Sequence, residues 1–307
     1  MAFLALAIAW QGGMAAVAGD EVRSPARYVY KTVGDRELAM DVDYPPDWKP
    51  SDRRPAIVFF FGGGWTTGTP AQFKPQAGYF ARRGLVCARA DYRLRLKDKI
   101  QPDQCVADAI SAMRWVRSHA AQLGIDPDRI VASGGSAGGH LAACTFFAEG
   151  VSSPGDDQSV SPKPNALLLY NPVLNMLALR GGKDTGTLTA GMDDSLLKRI
   201  SPFFHASKAA PPTLFIDGTK DRFNPEIREF VRQSKDLGAP VEACFSEGQP
   251  HGFFNQSPWL EKTTEQADEF LRRIGYLSEA PKVPLPTKAG TPNSRPASER
   301  ARQVPAR

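Results

Sequence analysis

Short apolar runs alternate along the chain with longer segments in which apolar residues recur at helical spacing. The run at 56–61 is continuous and rich in β-branched and aromatic residues, which is typical of a strand buried on both faces of a sheet. Upstream of it, Gly34-Asp35 separates two alternating segments and predicts the turn of an antiparallel hairpin, with strands at 28–33 and 37–44. Further strands are predicted at 85–90, 129–133, 166–170, 213–217 and 241–246.

The segments between these strands have the pattern of helices. The clearest helix begins at Pro102 and reaches about residue 122, because Val106, Ile110 and Met113 share one apolar face. Further helices are predicted at 72–83, 139–147, 225–237 and 259–274. Strands that alternate with helices in this way predict an α/β fold, with a mostly parallel central sheet and helices on both faces.

One long insertion interrupts this alternation. Residues 174–205 contain Gly181-Gly182 and one short predicted helix near 194–200. The insertion follows the strand at 166–170, so it would lie near the carboxyl ends of the strands, where ligands bind in such sheets. We therefore expect it to form a small lid or a wall of the substrate site.

The two ends of the chain differ in composition from its middle. The first 18 residues are small and apolar and end in Ala16-Val17-Ala18, which predicts a signal peptide at 1–18, although no basic residue precedes the apolar run. Such a signal implies a secreted or periplasmic protein. Residues 279–307 are rich in Pro, Ser and Arg and poor in large apolar residues, so we expect a disordered tail. Residues 19–278 then form one domain.

The charge of the chain does not indicate a nucleic-acid partner. The formal net charge is +5, but the segment 279–307 alone holds six basic and two acidic residues, so the rest of the chain is close to neutral. Hydrophobic residues make up 42% of the chain, which is ordinary for a globular protein and supplies a sizeable core. No apolar run is long enough to predict a membrane span.

The cysteines and histidines do not predict a metal site, and no cofactor is expected. Four cysteines would permit up to two disulfides after export, but the strand positions of Cys87 and Cys244 favour free buried thiols. The four histidines include no pair at metal-ligand spacing, and no nucleotide-binding glycine motif is present. We interpret His119, His140 and His205 as structural.

A serine in a glycine-rich turn is the sharpest chemical feature. Ser136 lies in Gly-Gly-Ser-Ala-Gly-Gly (134–139), which matches G-x-S-x-G, with a predicted strand before it and a predicted helix after it. A serine on so tight a turn adopts strained backbone angles, and its neighbours at positions −2 and +2, Gly134 and Gly138, must lack bulk. Ser136 is thus the predicted nucleophile, against the alternative that the turn merely joins strand to helix.

Three successive glycines follow the strand at 56–61. Gly62, Gly63 and Gly64 let backbone N–H groups point into a cavity, which is what an oxyanion hole requires. Taken alone the triplet would be weak evidence, since a flexible loop has the same composition. The order of strand, glycines and a later G-x-S-x-G makes an oxyanion hole the favoured interpretation.

Two downstream loops supply an acid and a base. Asp221 follows the strand at 213–217, and His251 follows the last strand, so the order is serine, aspartate, histidine. A hydroxyl is a poor nucleophile at neutral pH, so His251 would take its proton while Asp221 holds the imidazole tautomer. Asp217 is the rival acid, which we interpret as stabilising the turn because it lies nearer the strand.

These motifs together resemble the α/β-hydrolase esterases, in particular the bacterial acetyl esterase, xylan esterase and feruloyl-esterase-like group. Phe-Gly-Gly-Gly-Trp (61–65) is similar to the HGGGW element of that group, and residues 135–139 are similar to its G-x-S-A-G-G elbow. The resemblance extends over roughly residues 27–274. It implies the α/β-hydrolase fold, an acyl-enzyme mechanism, and an oxyanion hole formed by the amides of Gly63, Gly64 and Ala137.

The chain departs from this group at two points. Phe61 stands where the group usually has a histidine that braces the glycine loop, which leaves the geometry of the loop open. The large N-terminal cap of the hormone-sensitive-lipase branch is also missing. The resemblance then implies a more open site and short acyl chains.

We expect a serine esterase acting on short-chain acyl esters, chiefly acetyl or feruloyl esters of carbohydrates such as xylan. Trp65 and Phe253 are candidate substrate-binding residues because aromatic faces commonly stack on sugars, although both would equally suit the core. The substrate is then a small-molecule or oligosaccharide ester. Three alternatives remain: a generic short-chain carboxylesterase, a peptidase, which would usually add a gating domain, and a binding protein, which would usually lose the serine or histidine.

Overall fold

The computed structural model describes residues 25–182, 186–280 and 282–287. The predicted signal peptide at 1–18 lies outside the described residues, as does most of the predicted tail.

Eight strands form one sheet in the described part of the chain. They are β1 (Ala26–Val33), β2 (Arg36–Asp43), β3 (Arg54–Phe60), β4 (Val86–Ala90), β5 (Ile125–Gly135), β6 (Ala166–Tyr170), β7 (Thr213–Gly218) and β8 (Val241–Ser246). Their order is β1-β2-β4-β3-β5-β6-β7-β8. β2 pairs antiparallel with β1 and with β4, whereas all the other neighbours are parallel. The sheet confirms the predicted α/β fold.

Helices cover both faces of the sheet. They are α1 (Lys74–Arg82), α2 (Arg95–Asp98), α3 (Pro102–Ser118), α4 (Ala120–Leu123), α5 (Ala137–Phe147), α6 (Asp194–Arg199), α7 (Asn224–Asp236) and α8 (Trp259–Arg273). Buried side chains of α3, α5 and α7 belong to the larger core cluster, and those of α1 and α8 belong to the smaller one. Strand β3 contributes Val58 and Phe60 to the larger cluster and Ile57 and Phe59 to the smaller one, as expected for a strand buried on both faces.

The long helix predicted from Pro102 to about residue 122 is two helices. It is interrupted at His119, whose backbone (φ −101°, ψ 16°) ends α3 and begins α4. Apolar spacing cannot reveal such a break, because apolar side chains before and after it face the same core.

The insertion at 174–205 packs against the body of the domain where the structure describes it. Six of its described side chains are buried in the larger core cluster: Leu174, Met176, Leu179, Met192, Leu197 and Ile200. The buried Ser201 hydroxyl oxygen accepts a hydrogen bond from the amide of Met176 at 2.8 Å.

The start of the segment predicted as a tail also contacts the core. Val283 and Leu285 are partly buried against the smaller cluster. All four cysteines are free: Cys87, Cys105 and Cys144 are buried, and Cys244 is half-buried. None of the helices in the described part of the chain could serve as a membrane span.

Candidate active site

The predicted site residues gather at one edge of the sheet. Ser136 follows β5, Asp221 lies just beyond β7, and His251 lies beyond β8. Because β3, β5, β7 and β8 run in the same direction, the loops after them meet at the carboxyl edge, where α/β sheets bind their ligands.

Ser136 occupies a strained turn between β5 and α5. Its backbone has φ 56° and ψ −119°, a conformation that residues other than glycine rarely adopt. The turn allows no bulk beside it, since a Cβ on Gly138 would lie 2.0 Å from the carbonyl oxygen of Phe60. The Ser136 amide donates to the carbonyl of Tyr170 at 2.9 Å, which ties the turn to β6. The strain is therefore held by the surrounding sheet.

Ser136, His251 and Asp221 form a continuous hydrogen-bonded series. His251 Nε2 lies 2.7 Å from Ser136 Oγ, and His251 Nδ1 lies 2.6 Å from Asp221 Oδ2. Because an ionised carboxylate only accepts, Nδ1 carries the hydrogen and Nε2 is left to accept from the serine hydroxyl. The Asp221 side chain is fully buried, whereas that of His251 is 32% exposed. This is the geometry in which a histidine can take the proton of a serine.

Asp221 stays ionised although it is buried. Burial alone would raise its pKa, but the hydrogen bonds from His251 and from the amide of Phe223 outweigh burial and hold the pKa below its usual value. The Phe223 amide donates to the second carboxylate oxygen at 3.0 Å.

The rival acid, Asp217, makes no hydrogen bond to His251 in the described structure. It lies at the end of β7 and accepts from the side-chain amides of Asn171 at 2.6 Å and Asn224 at 2.7 Å. Burial raises the pKa of Asp217 to about 6. Both asparagines were missed in the sequence, where neither belongs to a recognisable motif.

The glycine loop (residues 62–65) lies directly beside the serine. A Cβ on Gly62 would be only 3.3 Å from the Cβ of Ser136. Within the described part of the chain, the amides of Gly63, Gly64 and Ala137 have no hydrogen-bond acceptor. The loop therefore presents unpaired N–H donors near the nucleophile, which is the requirement for binding an oxyanion.

Because position 61 is a phenylalanine and not a histidine, the glycine loop is held by other side chains. The Phe61 ring stacks on Tyr92 at 4.2 Å, and the Tyr92 hydroxyl donates to the Phe61 carbonyl at 2.7 Å. The Gly62 amide donates to Oε1 of Gln72 at 2.6 Å. At the other end of the loop, Trp65 Nε1 donates to Nδ1 of His140 at 3.2 Å.

The two aromatic residues considered for substrate binding lie in the core. Trp65 is 2% exposed and Phe253 is 5% exposed. Trp65 packs edge-on against His140 with ring centres 5.2 Å apart, and Phe253 packs edge-on against Trp259 at 5.3 Å. Of the two roles left open by the sequence, packing is the one visible in these contacts.

The remaining histidines make local structural contacts. His119 stacks on Trp115 with ring centres 4.1 Å apart, and His205 Nε2 lies 2.9 Å from the carbonyl of Lys198. Across the described residues, no three His, Cys, Asp or Glu side chains are grouped so as to hold a metal ion.

Comparison with known proteins gives a family match and curated relatives. The BD-FAE family model matches residues 40–238. "Probable isoprenylcysteine alpha-carbonyl methylesterase ICMEL1" of Arabidopsis thaliana is 30% identical over 71% of this chain and 50% of its own length. "Probable carboxylic ester hydrolase LipM" of Mycobacterium tuberculosis is 28% identical over 81% of this chain and 61% of its own length. The chain thus spans half to about six tenths of these relatives.

A solved structure matches over nearly its whole length. The apo form of Thermogutta terrifontis esterase 2 is 46% identical, with a TM-score of 0.79, and the match covers 85% of this chain and 98% of that one. Further structures of this esterase have propionate or butyrate bound, or are phosphorylated by paraoxon.

Proposed function

The chain belongs to the BD-FAE family, and on that premise we propose that it is a serine carboxylesterase that hydrolyses short-chain acyl esters. The observation that carries the proposal is the unbroken series of hydrogen bonds from Ser136 through His251 to Asp221. Further support comes from the similar proteins, which are named as esterases or ester hydrolases.

The proposed reaction proceeds in two halves. Ser136 attacks the ester carbonyl as His251 Nε2 takes the hydroxyl proton, and Asp221 stabilises the imidazolium that forms. The tetrahedral oxyanion accepts hydrogen bonds from the amides of Gly63, Gly64 and Ala137. His251 then gives its proton to the departing alcohol, leaving an acyl ester on Ser136. Water, activated by His251 in the same way, attacks this ester and releases the acid.

A short acyl group is favoured by one relative. Thermogutta terrifontis esterase 2 has been solved with propionate and with butyrate bound, and both are short carboxylates. A carboxylate bound in an esterase stands for the acid that hydrolysis releases. We therefore propose acyl chains of this size as the preferred substrates of this chain.

Carbohydrate esters are the narrower candidate, with acetyl or feruloyl groups on a polymer such as xylan. Exposure of the site favours a bulky alcohol, since the His251 side chain is 32% exposed and Gly63 is exposed. The predicted export would bring such an enzyme to extracellular polymers. A generic carboxylesterase fits the same contacts, whereas the family offers no support for a peptidase or a binding protein.

Hydrolysis of p-nitrophenyl acetate, butyrate and octanoate by the purified protein tests the proposal. We expect acetate and butyrate to turn over and octanoate to be much slower, and we expect Ser136→Ala to lower kcat by about 10⁴- to 10⁶-fold. Ser133→Ala is the matched control, because Ser133 is buried in β5 and its hydroxyl has no hydrogen-bond partner among the described residues. It should retain full activity.

The same preparation then distinguishes the two substrate classes. Release of acetate from acetylated xylan with kcat/KM above that for p-nitrophenyl acetate would favour the carbohydrate esterase, and release of ferulate from feruloylated xylan would do the same. Activity on the nitrophenyl esters alone would favour the generic carboxylesterase. A wild-type protein no faster than Ser136→Ala on every ester would refute the proposed function.

A further inference from the structure

Asn171 joins two buried carboxylates behind the histidine. It follows β6 directly, and its Nδ2 donates to Asp217 Oδ1 at 2.6 Å and to Asp221 Oδ2 at 2.8 Å. All three residues are almost completely buried. The backbone of Asn171 has φ 43°, a left-handed conformation that asparagine tolerates better than most residues.

Asp217 is held from its other side by a second asparagine. Asn224 Nδ2 donates to Asp217 Oδ2 at 2.7 Å, and Asn224 Oδ1 accepts from Arg228 Nε at 2.7 Å. Each carboxylate oxygen of Asp217 therefore accepts from one amide. Burial, and after it the neighbouring Asp221 carboxylate, raises the pKa of Asp217 to about 6, and the ionised form is the one that can accept from both amides.

Asn171 donates to the same Asp221 oxygen that binds His251. Oδ2 of Asp221 accepts from both Asn171 and His251, whereas Oδ1 accepts from the amide of Phe223. Without Asn171, a single backbone amide would orient this carboxylate. Asp217 in turn fixes Asn171, because its carboxylate requires the NH₂ group of Asn171 to point towards the two acids.

We propose that Asn171 and Asp217 are positioning residues that together hold Asp221 in the orientation His251 needs. The inference rests on the proposed esterase function of the same site. It predicts that loss of either side chain slows the chemical step while leaving substrate binding unchanged, because neither side chain hydrogen-bonds to Ser136 in the described structure.

Asn171→Gly removes the amide and accommodates the left-handed backbone. We expect kcat for p-nitrophenyl acetate to fall about 10- to 100-fold with KM nearly unchanged, as for a misplacement of about 1 Å in a catalytic group. The rate of Ser136 phosphorylation by paraoxon should fall in parallel, since it depends on the same activation of the serine.

Asn165→Gly is the matched control, at the opposite end of β6. The Asn165 side chain likewise makes two hydrogen bonds, in both cases as the acceptor, from the Ile130 amide and from Arg117, each at 3.1 Å. This variant loses comparable contacts far from the site, so it should lose stability while keeping kcat.

Asp217→Asn keeps the shape of the site and tests the same idea without a cavity. Asn171 and Asn224 donate to different oxygens of Asp217, and in the variant one of these oxygens is replaced by an NH₂ group that cannot accept, so kcat should fall about 10-fold with KM unchanged. If the two folded variants keep kcat and paraoxon rates like those of Asn165→Gly, the positioning role is refuted while the esterase function stands. If Asn171→Gly does not fold, Asp217→Asn alone decides. A wild-type protein inert towards esters and paraoxon would instead refute the function itself.

Discussion

Gln72 accepts from the first amide of the glycine loop, next to the Phe61 carbonyl that binds the Tyr92 hydroxyl. The buried Gly62 amide donates to Gln72 Oε1, and Gly62 lies so close to Ser136 that a Cβ on it would be 3.3 Å from the serine Cβ, closer than ordinary van der Waals contact. A shift of Gly62 would therefore move the amides of Gly63 and Gly64 relative to the nucleophile. An unsatisfied buried amide costs about 1–3 kcal/mol, enough to drive such a shift.

Gln72→Met, which keeps the length of the side chain and removes the acceptor, should lower kcat for p-nitrophenyl acetate about 10-fold with little change in KM. The reason is that the oxyanion donors act in the transition state rather than in substrate binding. Gln76→Met is the control, because Gln76 is a buried glutamine of α1 whose Oε1 has no partner in the described structure. Equal kcat values for the two variants would exclude a role for the Gly62–Gln72 hydrogen bond.

At the scale of elements, His140 connects three parts of the fold. It lies in α5, its Nδ1 accepts from Trp65 at the end of the glycine loop, and its Nε2 donates to the carbonyl of Ile200 in the insertion at 2.7 Å. Only the neutral imidazole can accept and donate in this way, because the protonated ring has two donors and no acceptor. The glycine loop and the insertion therefore depend on His140 remaining uncharged.

Burial lowers the pKa of His140 from 6.5 to about 4, although the hydrogen bond to Ile200 opposes the shift. Between these values the unfolded chain binds a proton that the folded chain does not, so folding stability falls as the pH is lowered. We expect the urea-derived free energy of unfolding to drop between pH 7 and pH 5 by about 2 kcal/mol more in the wild type than in His140→Gln. Parallel pH profiles for the two proteins would contradict this.

The wild type must be compared with His140→Gln because Asp217 also changes the pH dependence of stability. Its raised pKa has the opposite effect, because the folded chain then binds a proton in a range where the unfolded chain does not. The wild type alone would show the sum of both groups. Since the variant retains Asp217, the difference between the two profiles isolates His140.

For the whole molecule, the fold could be predicted because its strands are short apolar runs between clear breaks. The predicted strands at 166–170 and 241–246 coincide with β6 and β8, each of which has a proline just before it. β5 begins four residues before its predicted start, because the polar sequence Asp-Pro-Asp-Arg hides it. Helix α2 has four residues, too few to show any periodicity.

The nucleophile, acid and base could be predicted from a motif and from the order of the loops along the chain. The residues that support them could not be predicted from either. Gln72, Asn171 and Asn224 contact the site only because the sheet brings distant segments to one edge. Ordinary polar residues of this kind occur throughout any chain, so their side-chain partners are fixed by three-dimensional packing. The choice of Asp221 over Asp217 is different, since the loop position already favoured it.

The segment after α8 adds apolar side chains to the smaller core cluster. Val283 and Leu285 pack against the smaller cluster, on the face of the sheet covered by α1 and α8. The segment lines a cavity together with Gln72, but within the described structure no hydrogen bond joins it to Ser136, Asp221 or His251, so we expect it to stabilise the fold without affecting catalysis.

Two shortened chains, one ending at Ala280 and one ending at Thr287, separate these effects. The free energy of unfolding, measured by urea titration, should be about 1–3 kcal/mol lower for the shorter chain, because this chain loses two partly buried apolar side chains. Both chains lack residues 288–307, so the difference between them reports only the packing of the last described segment. Their kcat values for p-nitrophenyl acetate should agree. Equal stabilities would show that this segment adds nothing to the core, and a lower kcat in the shorter chain would place it within reach of the active site.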